Sequence, residues 1–141
     1  MTTSLTPEER REVFGDHDPE QHAEEAEQRW GGTEAYRQSQ QRTAAYTKHD
    51  WEEIKAEAEG ITTRFADLFR EGVAPDSAEA MDLAEAHRQH ITRRFYDCTP
   101  EIHRGLGEMY VADPRFAANY ESVVEGLSQY IRDAIEANAA R

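Results

Sequence analysis

Thr47-Lys48-His49-Asp50-Trp51-Glu52-Glu53-Ile54-Lys55-Ala56-Glu57-Ala58-Glu59-Gly60-Ile61-Thr62-Thr63-Arg64-Phe65-Ala66-Asp67-Leu68-Phe69-Arg70-Glu71-Gly72 is the stretch that decides the fold class. Its apolar residues Trp51, Ile54, Ala58, Ile61, Phe65, Leu68 and Phe69 recur at steps of three and four, which draws one stripe along an α-helix. Thr47 with Asp50 opens the helix and Gly72 closes it. The same punctuation recurs on both sides. Thr6-Pro7-Glu8-Glu9 is a capping box with proline at the first helical position, and its helix should stop at Gly15. Asp18-Pro19-Glu20-Gln21 repeats the device for a helix running to Trp30, which Gly31-Gly32 breaks. Thr33 caps a short helix reaching about Tyr46. Downstream of a loop at Val73-Ala74-Pro75-Asp76-Ser77, helices are predicted over Ala78–Asp97, Pro100–Val111, Pro114–Asn119 and Ser122–Asn138. Strand signals are nearly absent, so the class is all-α.

Apolar material is unevenly spread. Val123, Val124, Leu127, Tyr130, Ile131, Ala134 and Ile135 form a second full stripe, with weaker ones at Met81, Ala84, Ile91, Phe95 and at Ile102, Leu106, Met109, Tyr110. Residues 51–141 thus hold the makings of a packed core. Residues 1–50 offer only Leu5, Val13, Phe14, Trp30, Tyr36 and Tyr46, spaced widely among Glu, Gln and Arg. So few side chains do not offset the backbone entropy of ordering the segment, and short helices are marginal without a partner surface. A loosely attached N-terminal third is expected.

The chain carries 29 acidic and 16 basic residues in 141, a formal charge of −13. That charge opposes binding to nucleic acid or to anionic lipid, both of which call for clustered Lys and Arg. No apolar run approaches a membrane span, and the start at Met1 lacks the basic and apolar regions of a secretory signal. A single cysteine leaves no disulfide framework and no Cys-rich zinc site, which points to the cytoplasm.

Cys98, in Phe95-Tyr96-Asp97-Cys98-Thr99-Pro100, is either a small buried hydrophobe or a modestly activated thiol. The helix beginning after it favours thiolate, while Asp97 and the preceding helix's C-terminus oppose it. His87 and His90 share a helix face, but no third ligand is matched to them, and neither Glu-x-x-His nor His-Glu-x-x-His occurs. They read as polar surface or cleft residues. No metal and no cofactor are expected, and fold likeness alone does not make His90 a haem ligand. Phe65, Phe69 and Tyr130 read as core. Tyr96, Met109 and Tyr110 fit either core packing or a concavity for a flat heteroaromatic ligand. The Glu24, Glu25 and Glu27 run is a solvated face.

Three stretches, in order, carry a resemblance. They are Glu25-x-x-x-Arg29-Trp30-Gly31 leading to Ala35-Tyr36-Arg37-Gln38-Ser39; Tyr96-Asp97-Cys98; and Leu106-Gly107-Glu108-Met109-Tyr110-Val111-x-Asp113-x-Arg115-Phe116. A helix at Tyr130-Ile131-Arg132-Asp133-Ala134-Ile135 follows. Together they resemble the TipAS antibiotic-recognition domain, the thiopeptide-binding effector module of MerR-type regulators. The resemblance implies a globin-like helical core without haem at residues 51–141, under a helical lid at residues 1–50 that is mobile until ligand binds. It implies that Cys98 adds covalently to a dehydroalanine of a thiopeptide antibiotic, a single-use capture and not enzymatic turnover. Tyr96, Asp97, Met109 and Tyr110 are then expected around the cysteine, with Trp30 and Tyr36 from the lid and Trp51 from the junction. The family's regulators also carry a winged helix-turn-helix and a coiled-coil linker, which this sequence does not show. No nucleic acid is therefore expected as a partner of this chain alone, no membrane either, and a monomer is favoured. The alternative is a helical protein-interaction or signalling module without small-molecule capture.

Overall fold

The structure, a computed structural model, describes residues 5–14 and 32–141. The helix expected from Asp18 to Trp30, and Trp30 itself, lie outside the described residues. The described residues form seven helices and no strand: α1 (Pro7–Phe14), α2 (Glu34–Thr43), α3 (Lys48–Arg70), α4 (Ala78–Arg94), α5 (Pro100–Ala112), α6 (Pro114–Glu121) and α7 (Leu127–Ala140). The all-α reading holds.

Local chemistry sets most of the helix starts. Thr6 Oγ1 accepts from the Glu9 amide at 3.1 Å while Glu9 Oε1 accepts from the Thr6 amide at 3.0 Å, a reciprocal box. Thr47 and Asp50 exchange the same pair of bonds at 3.0 and 3.2 Å. The hydroxyls of Thr33 and Thr99 take the amides of Tyr36 and Ile102, and the Asp113 carboxylate takes that of Arg115. At the other end of α3, Gly72 turns the chain at φ 77°, a conformation L side chains rarely adopt.

Several boundaries differ from expectation. The helix capped by Thr33 ends at Thr43, short of Tyr46, with the Ala44 amide on the Gln40 carbonyl. The helix at Ala78 ends at Arg94 and does not reach Asp97. Its last turn loosens, with the amides of Phe95 and Tyr96 both on the Ile91 carbonyl, and the Asp97 amide donates to Gln38 Oε1 at 2.8 Å. The last helix begins at Leu127, five residues later than Ser122. Ser122 instead closes α6, and Gly126 turns at φ 92°. The Glu121 carboxylate then caps α7, accepting from the amides of Gly126 (2.9 Å) and Ser128 (3.0 Å). Val123, placed on the last helix's apolar stripe by its spacing, is consequently 43% exposed.

The chain divides into two compact units. The first comprises Met1–Glu57 with Ile91–Asp97, and its described part has a small apolar cluster of Leu5, Val13, Trp51 and Ile54, joined by Tyr46 and Phe95. Trp51 meets Tyr46 edge-on at 5.5 Å between ring centroids and Phe95 at 6.1 Å. The second comprises Ala58–His90 with Cys98–Arg141. Its core runs from Phe65, Ala66 and Leu68 on α3 through Ala80, Leu83 and Ala84 on α4 to Leu127, Ile131, Ala134 and Ile135 on α7. Within this unit α5 packs most extensively on α7. The single stripe read along α3 thus serves two clusters. Ala58, where the helix passes from one unit to the other, is exposed.

Candidate functional site

Cys98 follows α4 and precedes the Thr99 cap of α5. Its side chain is 2% exposed. Sγ faces the Thr99 carbonyl at 3.8 Å. Burial pushes the thiol up to about 11; Arg88 acts in the opposite sense and Glu85 with burial. Desolvation therefore outweighs the helix start and the nearby cation, and the expected modest activation is not what the resting geometry produces. At pH 7 such a thiol is almost wholly protonated.

Arg88 has its own partners in the same unit. Its Nη1 donates to the Cys98 carbonyl at 2.7 Å, while Nε and Nη2 reach Glu85 Oε1 and Oε2 at 2.9 and 2.5 Å. Glu85 also accepts from Gln89 (2.8 Å) and from Asn138 on α7 (3.0 Å). These donors, Arg88 first, hold its carboxyl at about 2.

His87, half-buried, and His103, buried, form a second arrangement. His87 Nδ1 and His103 Nε2 lie 2.8 Å apart, so one neutral ring donates to the other. Burial first, then His103 and His90, pushes His87 down to about 3; burial and then Arg88 pushes His103 down to about 4. His90 is buried. Among the described residues no group of three or more His, Cys, Asp or Glu is placed to hold a metal ion.

The remaining expected site residues fall as follows. In the second unit Tyr110 is buried, its ring against His87, Phe116 and Tyr120, and Met109 packs on the core from its rim. In the first unit Asp97 is exposed but tethered: Arg42 Nη2 donates to it at 3.0 Å, and Arg42 Nη1 to the Thr92 carbonyl at 2.6 Å. Tyr96 is half-buried. Trp51 is core of that unit. Tyr36 lines an open cleft of about 340 Å³ with Gly32, Thr33, Glu34, Arg37 and Gln40. Sequence reasoning overlooked Glu85, Arg88, Gln38 and Arg42. The spacing Glu85-x-x-Arg88 was a visible i,i+3 pair, and Gln38 and Arg42 share a helix face.

Comparison with known proteins gives a consistent picture. Residues 22–138 match the TipAS antibiotic-recognition domain. The HTH-type transcriptional activator TipA of Streptomyces coelicolor is 55% identical over 141 residues, all of this chain and 56% of the relative. The activator mta of Bacillus subtilis is 41% identical over 104 residues, 74% of this chain and 40% of its own length. This chain thus spans about half the length of the curated relatives it matches. Among solved structures, TipAS of Streptomyces lividans in complex with nosiheptide, part of a thiopeptide antibiotic multidrug resistance system, superposes with a TM-score of 0.91 at 55% identity, covering 99% of this chain and 98% of that one. The antibiotic-binding domain of a TipA-class multidrug resistance regulator gives 0.60 at 52% identity over 64% of this chain and 97% of its own. With its capped helices, its Tyr96-Asp97-Cys98 segment and these matches, the chain belongs to the TipAS antibiotic-recognition domain family.

Proposed function

We propose that this chain captures thiopeptide antibiotics, as the sensing or sequestering part of a cytoplasmic resistance system. What carries the reading is the fold match over 99% of the chain, at 55% identity, to a domain solved with nosiheptide. In this reading residues 1–50 act as a lid over the ligand, residues 51–141 form the core beneath it, and Cys98 makes the covalent bond. Tyr36, Trp51, Tyr96, Asp97, Met109 and Tyr110 contribute to recognition, as does Trp30, which lies outside the described residues.

The step balances without a redox partner. The Cys98 thiol gives its proton to solvent base and Sγ adds to the terminal carbon of the dehydroalanine. The π pair moves to the α-carbon, which then takes a proton. The net result is S–H added across C=C, and the sulfur is consumed, so there is no turnover. A thiol that burial keeps protonated at neutral pH slows this step in the resting chain. Noncovalent binding compensates, since effective molarities of order 10⁵ M and above are available to an oriented pair. Calorimetric titration with nosiheptide tests the recognition step. Saturable one-to-one binding is expected for the native chain and for Cys98→Ala alike; absence of binding to both would overturn it.

Burial of Cys98 favours a second reading, a helical protein-interaction module in which the cysteine only packs. Amide NMR separates the two. Nosiheptide should shift resonances of α2 and of the Tyr96–Cys98 segment under capture, and leave the spectrum unchanged under the alternative.

A further inference from the structure

The Cys98 carbonyl is held by a side chain ten residues earlier, through the 2.7 Å bond from Arg88 Nη1. The guanidinium is not free to swing. Both its other faces are spent on a bidentate grip of Glu85, and Glu85 is braced in turn by Gln89 and by Asn138 of α7. The Arg88 and Glu85 side chains are only 19% and 34% exposed, so the pair is screened less than a surface bridge. Resting on the reading of Cys98 as the capturing nucleophile, we propose that Arg88 is a positioning residue for that reaction, fixing the cysteine's main chain and setting a permanent cation next to it, with Glu85 as its buttress.

The electrostatics give the proposal a sign. Arg88, bonded to the cysteine's own carbonyl, favours the ionised thiol, and Glu85 disfavours it. His103, which also feels Arg88 and Glu85, and its partner His87 are both held neutral and add no opposing charge. A guanidinium is the right cation for the task. Its fork holds carboxylate and carbonyl together, and it stays charged at any pH where a thiol reacts.

Cys98 is the chain's one cysteine, so protein labelled with ¹³Cβ-cysteine reports its ionisation as a single resonance. Arg88→Gln should raise the titration midpoint by about one unit, and slow addition to a small dehydroalanine ester at pH 8 about three- to tenfold. Arg88→Lys should restore most of the native midpoint. Glu85→Gln should move it down. A role limited to packing predicts otherwise, because loosening either partner hydrates the thiol and shifts both variants downward together. Arg104→Gln, an exposed arginine on α5, is the charge control and should leave the midpoint in place. Movement of Arg88→Gln and Glu85→Gln in the same direction, or of neither, overturns the proposal. If Arg88→Gln does not fold, Arg88→Lys and Glu85→Gln decide it: a Glu85→Gln midpoint at or above the native one overturns the assignment. Failure of the capture reading looks different, with titrations shifted as described but no thiopeptide adduct in any variant.

Discussion

The two units of this chain differ in how much apolar core stands behind their polar ties. The second interdigitates Phe65, Leu83, Leu127, Ile131 and Ile135, and adds polar ties such as Tyr130 Oη to the Val73 carbonyl and Asn138 to Glu85. The described part of the first has a smaller buried cluster of Leu5, Val13, Trp51 and Ile54, and ties its segments with side-chain bonds to main-chain carbonyls. Arg42 donates to Thr92, Tyr46 Oη to Arg94 at 2.5 Å, and Lys55 to Val13 at 2.6 Å. Arg94 adds a fork onto Glu57 at 3.1 and 2.9 Å, and Lys48 pairs with Glu12. Apolar burial scales with area and is not weakened by charge screening. Half-exposed hydrogen bonds and ion pairs contribute about 1 kcal/mol or less each and can exchange with water. Segments held mainly by such ties open at lower free energy than a packed apolar core, so amide exchange is expected to be faster in the described part of the first unit than in the second.

The largest expected effect probes the apolar side. Ile135→Ala should lower global stability by about 2–5 kcal/mol in urea unfolding. Ile54→Ala should act mainly by abolishing amide-exchange protection in α1 and α2. Equal loss of α7 protection in Ile54→Ala would break the contrast.

Acid should weaken the second unit next. Unfolded imidazoles take up protons near 6.5, whereas native His87 and His103 refuse them until about 3 and 4. Between those limits the unfolded chain binds more protons, so stability is full above 6.5 and falls as pH drops, by up to about 1.4 kcal/mol per pH unit for each proton. Glu85 adds to the fall below 4.5, its folded carboxyl titrating near 2. Urea midpoints from pH 7 to 4 should decline, and less steeply in His87→Gln.

Arg42→Gln should cost about 1–2 kcal/mol, seen as faster exchange in α2, because the Thr92 carbonyl and Asp97 lose their donor. Smallest of all, Thr99→Ala removes one cap from α5 at about 1 kcal/mol, read from thermal unfolding.

Helix starts were legible from sequence wherever the cap lies within three residues of the amide it serves, as at Thr6, Thr33, Thr47 and Thr99. The start of α7 was not, because its cap is Glu121, reached across a left-handed Gly126. The site shows the same divide. Cys98 stands out by its motif, but its protonation state depends on burial and on Arg88, which periodicity does not reveal. The Arg42 and Gln38 grip on Asp97 spans 55 and 59 residues of sequence. Only the folded chain brings those side chains together.

Intact-mass spectrometry after mixing the native chain with a dehydroalanine-bearing thiopeptide tests the central claim most directly. Capture at Cys98 predicts one adduct of full ligand mass on the native protein and none on Cys98→Ala. An unmodified native mass at saturating ligand, or an adduct that persists in Cys98→Ala, would contradict it.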